Sequence, residues 1–287
     1  MTIPVTFAVK SALLAVQPSS LTFFAESSVN PPGQTLTVTN AGTGTLNWIA
    51  SADSPWINLS ASSGTAPASI TVSPNVTGLA TGHYSGSVSF NSPDVSNGPP
   101  AASVSLQVGT LLFADDFSSG TAGNWIISPL GNGAGWSVAK GAYSYNGQGA
   151  TESWAGVDSW TDYTVSADFQ LSSLNDYPGG LRGRVNTATG ASYGVWIYPH
   201  EGILKLYRIN QWFIDAGFSL LAQSQQLPFD ATNRHNLRLS FIGSQIQVYY
   251  DNALVMQASD STYTKGAIAL DVSNRPIAFT NVKVIGF

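Results

Sequence analysis

Along most of the chain apolar and polar residues alternate with a period of two, and Gly, Asn, Asp or Pro interrupts the alternation every roughly 8–12 residues. Thr35-Leu-Thr-Val-Thr39 alternates and stops at Asn40-Ala-Gly42. Thr45–Ala50, Ser69–Ser73 and Gly82–Phe90 repeat the pattern, and Ala102-Ser-Val-Ser-Leu-Gln-Val108 closes the series. A period of two sends successive side chains to opposite faces of a strand, so each segment predicts a strand with one buried face. Short strands at this spacing predict a small antiparallel sandwich of immunoglobulin type over residues 15–109. Ile3-Pro-Val-Thr-Phe-Ala-Val9 matches the closing strand in pattern, with Val5/Val104, Phe7/Leu106 and Val9/Val108 in register. Residues 1–14 are therefore expected to be a remnant strand of a preceding repeat, as in an excerpt from a longer modular protein; an ordinary N-terminal strand has the same alternation.

Residues 110–287 continue strand after strand. Tyr163–Leu171 alternates; Asn236–Phe241 and Gln245–Tyr250 flank Gly243-Ser244, a tight hairpin signal, and Asp251-Asn252 turns the chain into Ala253–Gln257. Val108-Gly-Thr-Leu-Leu-Phe113 joins the two halves without a Pro-rich or Gly/Ser-rich tether, which predicts a limited range of orientations.

Face assignment in the middle of the second half brings out the candidate chemistry. Leu181 and Val185 are expected on one face of their strand, Arg182 and Arg184 on the other. Tyr193, Val195 and Ile197 oppose Gly194, Trp196 and Tyr198; Leu204 and Leu206 oppose Lys205 and Tyr207. One set is a core. The other, Arg182, Arg184, Trp196, Tyr198, Lys205 and Tyr207, is a face of aromatics and cations if the strands are neighbours. Sugar rings pack C–H faces on Trp and Tyr, while guanidinium forks donate to hydroxyls or carboxylates. The competing reading is a second hydrophobic layer, with Arg lying over Trp. Trp154 and Asp176 are expected at the rim, with Trp212 a further aromatic near a strand end.

Composition narrows the function classes. There are no cysteines, which excludes disulfides, thiolate metal sites and thiol nucleophiles. Charged residues are 9% of the chain, against about 25% in an average soluble protein, leaving a polar but weakly charged surface of the extracellular kind. A net charge of −5 and the lack of a basic run argue against nucleic acid. No apolar stretch reaches the roughly 20 residues of a membrane span. Met1-Thr-Ile-Pro-Val-Thr-Phe7 lacks the basic-then-apolar pattern of a signal peptide.

Two family resemblances follow from particular segments. Leu36-Thr-Val-Thr-Asn-Ala-Gly42, Trp48-Ile-Ala-Ser-Ala-Asp-Ser-Pro-Trp56 and Ser62-Ser-Gly64 resemble the BACON domain over residues 15–108. Its name implies sugar binding, although many members look like spacers; Trp48 and Trp56 read as core and corner aromatics. Asp115-Asp-Phe117, Trp136–Tyr143, Trp160–Val165 and Phe279–Val284 resemble, in that order, the laminin-G-like type of concanavalin A-like jelly roll found in bacterial polysaccharide-active proteins, levan-binding modules included. That resemblance implies an Arg after Gly-Leu, here Arg184, though the usual Arg-Tyr-x-Asp is replaced by Arg184-Val-Asn-Thr187. It also implies a terminal calcium, for which Asp115 and Asp116 are the candidates; the Asp usual in the closing strand is Thr280 here, and no cofactor is expected.

Enzyme chemistry finds little to work with. Glu26, Glu152 and Glu201 are the three glutamates, and neither the Glu-x-Asp-x-Glu of jelly-roll glucanases nor the Arg-x-Glu-x-Arg and Gln-Ile-His of β-sandwich alginate lyases occurs. His200-Glu201 reads as a hairpin tip, and paired carboxylates would have to come from Asp168, Asp176 or Asp215 with Glu201. The expectation is an all-β chain, an immunoglobulin-like sandwich followed by a concanavalin A-like jelly roll. It would be a non-catalytic carbohydrate-binding portion of a larger exported bacterial protein, secreted or at the cell surface, with polysaccharide or oligosaccharide and neighbouring domains as partners. A structural stalk or adhesion segment and an unrecognised polysaccharide hydrolase or lyase are the alternatives.

Overall fold

A computed structural model describes residues 11–95, 98, 100–129, 135–147, 149–175, 179–212, 217–273 and 277–287. The repeat strand expected at 3–9, Asp176 and Asp215 lie outside the described residues. The described chain is all-β and divides into two compact units, residues 1–109 and 110–287. The strand Ala101–Asp115 contributes to both, its residues through Gly109 to the first and the rest to the second.

In the first unit Leu14–Gln17, Gln34–Asn40, Ala68–Pro74 and Ile57–Leu59 form one antiparallel sheet in that order. The other sheet runs Ser20–Glu26, the Ala101 strand, Gly82–Asn91, Asn47–Ala52 and Ser63–Thr65, the first pair parallel. Leu36, Val38, Ile70 and Val72 from the first sheet pack with Trp48, Phe90, Val104 and Leu106 from the second, as strict alternation requires. Trp48 and Trp56 are both in this core, 2% and 8% exposed.

The second unit is a jelly-roll sandwich. Its first sheet has the order Ile126–Ile127, Ala150–Ala155, Ala267–Ser273, Gly179–Val185, Ser192–Tyr198, Ile203–Ile209 and Phe218–Gln223. Facing it are Ala253–Ser259, Gln245–Tyr250, His235–Ile242, Tyr163–Leu171, Ile277–Gly286 and the end of the Ala101 strand. Leu181, Tyr193, Val195, Ile197, Leu204 and Leu206 point between the sheets, onto Val165, Phe169, Leu239 and Phe241. Each such side chain contributes about 1.5–3 kcal/mol when buried, which fixes the register of the sheet that carries the other face.

The alternation breaks at one place that matters. Arg182 lies opposite Ala269, but the next partnered residue on that side is Val185, opposite Ala267. Residues 183–184 form a bulge, with Arg184 at φ +49°. A Cβ at Gly183 would meet the Phe241 ring at 2.2 Å, so this position faces the core and admits no side chain. The extra residue turns Val185 onto the face of Arg182 instead of the core, where it packs with Trp212, Ala267 and Ala269. The expectation that Val185 sides with Leu181 is corrected by this insertion.

Candidate functional site

Residues directly opposite one another on neighbouring strands share a face, and the registers trace two rows across the outer face of the seven-stranded sheet. One row is Glu152, Asp271, Gly180, Trp196, Lys205 and Gln223. The next is Trp154, Ala269, Arg182, Gly194, Tyr207 and Leu220. Arg182, Trp196, Tyr198, Tyr207 and Trp154 therefore lie on one face.

Their surroundings differ. The Arg182 guanidinium is fully buried and all its donors are engaged. Nε donates to Asp271 Oδ2 at 2.6 Å and Nη2 to Glu152 Oε1 at 3.0 Å. The remaining N–H groups reach the carbonyls of Gly190, Gln211 and Trp212 at 3.4–3.5 Å. Ser128 Oγ donates to Glu152 Oε2 at 2.7 Å, and Trp196 Nε1 to Asp271 Oδ2 at 2.8 Å. Two carboxylates thus share one guanidinium. Burial, then the neighbouring Asp271, push the Glu152 carboxyl up to about 7, against the pull of Arg182 and Ser128. Asp271 Oδ1 is buried without a hydrogen-bond partner.

Beside this polar end lies an aromatic one. The Trp196 and Tyr207 rings are 4.8 Å apart, and Phe218 stands 5.8 Å from the first and 5.2 Å, edge-on, from the second. Tyr198 and Tyr207 share a hydroxyl–hydroxyl bond of 2.9 Å. Lys205 Nζ sits 4.1 Å over the Tyr198 ring and pairs with Glu201 at 2.9 Å. Trp196 and Tyr207 are 7% and 6% exposed; Phe218 is 46% exposed and Leu220 53%. The exposed aromatic edge is thus Phe218, which sequence reading passed over. Trp154 packs in a second cluster with Val185 and the buried Trp212.

Arg184 does not join the face. At the bulge its side chain leaves in another direction, donating to Thr161 O (3.1 Å), Tyr263 O (3.0 Å) and Asp162 Oδ1 (3.0 Å) and lying 5.0 Å over the Phe241 ring. Its backbone N–H donates to the buried Tyr163 hydroxyl. The continuous patch expected of Arg182, Arg184, Trp196 and Tyr198 is split here, because the bulge consumes one residue of alternation.

Glu152 and Asp271, like Phe218, were missed as site residues. A carboxylate in an otherwise apolar strand, Ala267-Ile-Ala-Leu-Asp-Val272, is a readable sign of a buried partner. Asp115 Oδ1 accepts from Phe117 N–H and Oδ2 from Trp125 Nε1; Asp116 Oδ1 accepts from Ser118 N–H. Among the described residues no group of three or more His, Cys, Asp or Glu gathers to hold a metal.

Comparison with known proteins gives four likenesses. The viral BACON domain family matches residues 13–102. A levanase of Bacillus subtilis (strain 168) is 23% identical over 166 residues, covering 55% of this chain and 24% of the levanase, so the match spans about a quarter of that relative's length. Among solved structures, the carbohydrate-binding module CBM66 from Bacillus subtilis matches with TM-score 0.47 and 19% identity, covering 56% of this chain and 95% of that one. A Bacillus subtilis protein of unknown function with a galectin-like fold matches with TM-score 0.48 and 14% identity, over 62% and 96%.

Proposed function

We propose that the outer face of the seven-stranded sheet binds a polysaccharide or oligosaccharide without cleaving it. On this reading the first unit is a spacer and the whole is part of a secreted or cell-surface bacterial protein. The observation that carries the proposal is the aromatic strip of Trp196, Tyr207 and the exposed Phe218, with the Lys205–Glu201 ion pair at its edge. A sugar presents both surfaces such a strip recognises: C–H faces for the rings, and hydroxyls for the charged groups. The levanase relative supports a fructan among the first ligands to try. Arg182 acts here as a positioning residue, holding Asp271 and the carbonyls of residues 190, 211 and 212.

The test is a glycan array followed by calorimetric titration of the full chain with the best glycan, levan included. Phe218→Ala removes an exposed ring at little cost to folding, and a central aromatic anchor is worth about 2 kcal/mol, roughly a thirtyfold loss of affinity. Unchanged affinity in Phe218→Ala, or no glycan bound at all, would overturn the proposal. Release of reducing sugar that disappears in Glu152→Gln would replace it with a hydrolase.

A further inference from the structure

The second unit has another cleft, of about 830 Å3, built from residues 114–124 and 281–283 and separate from the sheet face above. Its described lining carries the side chains of Asp116, Ser119, Thr121, Asn124, Asn281 and Lys283 and no aromatic ring. Both walls contain a non-glycine residue with left-handed backbone, Phe117 at φ +59° and Asn281 at φ +50°. Such conformations cost about 1–3 kcal/mol and collect where a site needs a fixed shape. Each is held from behind. Phe117 is fully buried, stacked 5.2 Å from Tyr143, and its N–H donates to Asp115. Asn281 Nδ2 donates to Asp168 Oδ2 at 2.7 Å.

We propose that this cleft is a second, independent saccharide site, which takes a neutral polyhydroxylated ligand by hydrogen bonding alone. The chemistry of the lining selects that class. Asp116 offers a carboxylate kept ionised by the side-chain and backbone hydrogen bonds of Ser118. Asn124, Ser119 and Thr121 are exposed and can each donate and accept, as a sugar hydroxyl does. Lys283 puts an ammonium in the same lining as Asp116, which disfavours a bare cation, and among the described residues no three His, Cys, Asp or Glu gather to ligate calcium. An anion would meet two carboxylates, Asp115 and Asp116, against the single ammonium of Lys283. Without a ring to stack on, a nucleobase has no platform.

The experiment is an amide-detected NMR titration of the isotope-labelled full chain with maltotriose, xylotriose and a levan-derived trisaccharide, with glycerol and calcium chloride as separate arms. The expected result is a saturable shift of the Asn124 and Asn281 side-chain amides by at least one trisaccharide, with Kd on the order of 1–10 mM. Asn124→Ala and Asp116→Asn each weaken it roughly tenfold; the second keeps a side-chain oxygen for the Ser118 turn. Phe218→Ala leaves these shifts in place, so failure of the sheet-face site and failure of this one read out separately. The proposal falls if no trisaccharide gives a saturable shift, if glycerol reproduces it, if calcium alone does, or if Phe218→Ala abolishes it.

Discussion

Replacing Arg182 with Met tests the network at its centre. The guanidinium is the shared counter-charge of Glu152 and Asp271, which stand directly opposite each other on adjacent strands. Their side chains are 4% and 1% exposed, so without it two carboxylates face one another with no access to bulk water. Breaking a buried pair by removing one partner costs about 3–5 kcal/mol, and three backbone carbonyls also lose a donor. For a unit of this size that is a fall of roughly 10 °C in its melting temperature. The loss must depend on pH. Glu152 has a folded-state pKa of about 7, above its ordinary 4.5, so its contribution to stability is complete below the ordinary value and is lost as pH rises through 7. At pH 5 the Glu152 proton removes one of the two charges, and Arg182→Met is expected to cost less there than at pH 8. Scanning calorimetry of the full chain at both values measures this. A loss below about 1 kcal/mol, or an equal loss at the two pH values, would refute the shared-guanidinium account.

In the unmutated chain, stability of the second unit should fall by about 3 kcal/mol between pH 4.5 and pH 8 through Glu152. Glu152→Gln should flatten that dependence in urea titrations; an unaltered slope would locate the titration elsewhere. At the bulge, Arg184→Gly and Arg184→Ala both lose the three guanidinium bonds, but only Ala keeps the left-handed strain. The Gly variant is expected to be the more stable of the two by about 1 kcal/mol, and the reverse order would show that φ +49° is not a constraint.

What was legible in the sequence was local. Leu181, Val195 and Leu206 face the core because a period of two needs only neighbouring residues, and the strands of Arg182, Trp196 and Tyr207 do pair side by side. Val185 and Arg184 failed for a reason no window could contain. The bulge at 183–184 is held by Tyr163, Thr161, Asp162 and Tyr263, all distant in sequence, and one inserted residue reverses every later face. Phe218 escaped because its strand is short and contains its own irregularity: Leu220 pairs with Tyr207 and Ala222 with Leu206, leaving Leu221 extra. Arg182 was placed on the right face, but its burial was not legible, since Glu152 and Asp271 come from strands far from it in sequence.

Stability alone gives a weak account of why three charged groups sit on this sheet face. An apolar trio of similar volume would hold two strands together at least as well, because the attraction within a buried ion pair roughly repays its desolvation. What the network supplies is position: Asp271 Oδ2 accepts from both Arg182 Nε and Trp196 Nε1. In the row Asp271, Gly180, Trp196 the middle residue has no side chain, so the indole N–H reaches the carboxylate across it. The indole is therefore held by a buried carboxylate that Arg182 fixes in turn, beside rings that continue to the exposed Phe218. On the proposed reading the sugar packs on that strip of rings, and Arg182 contributes to affinity without touching it, by fixing the indole through Asp271.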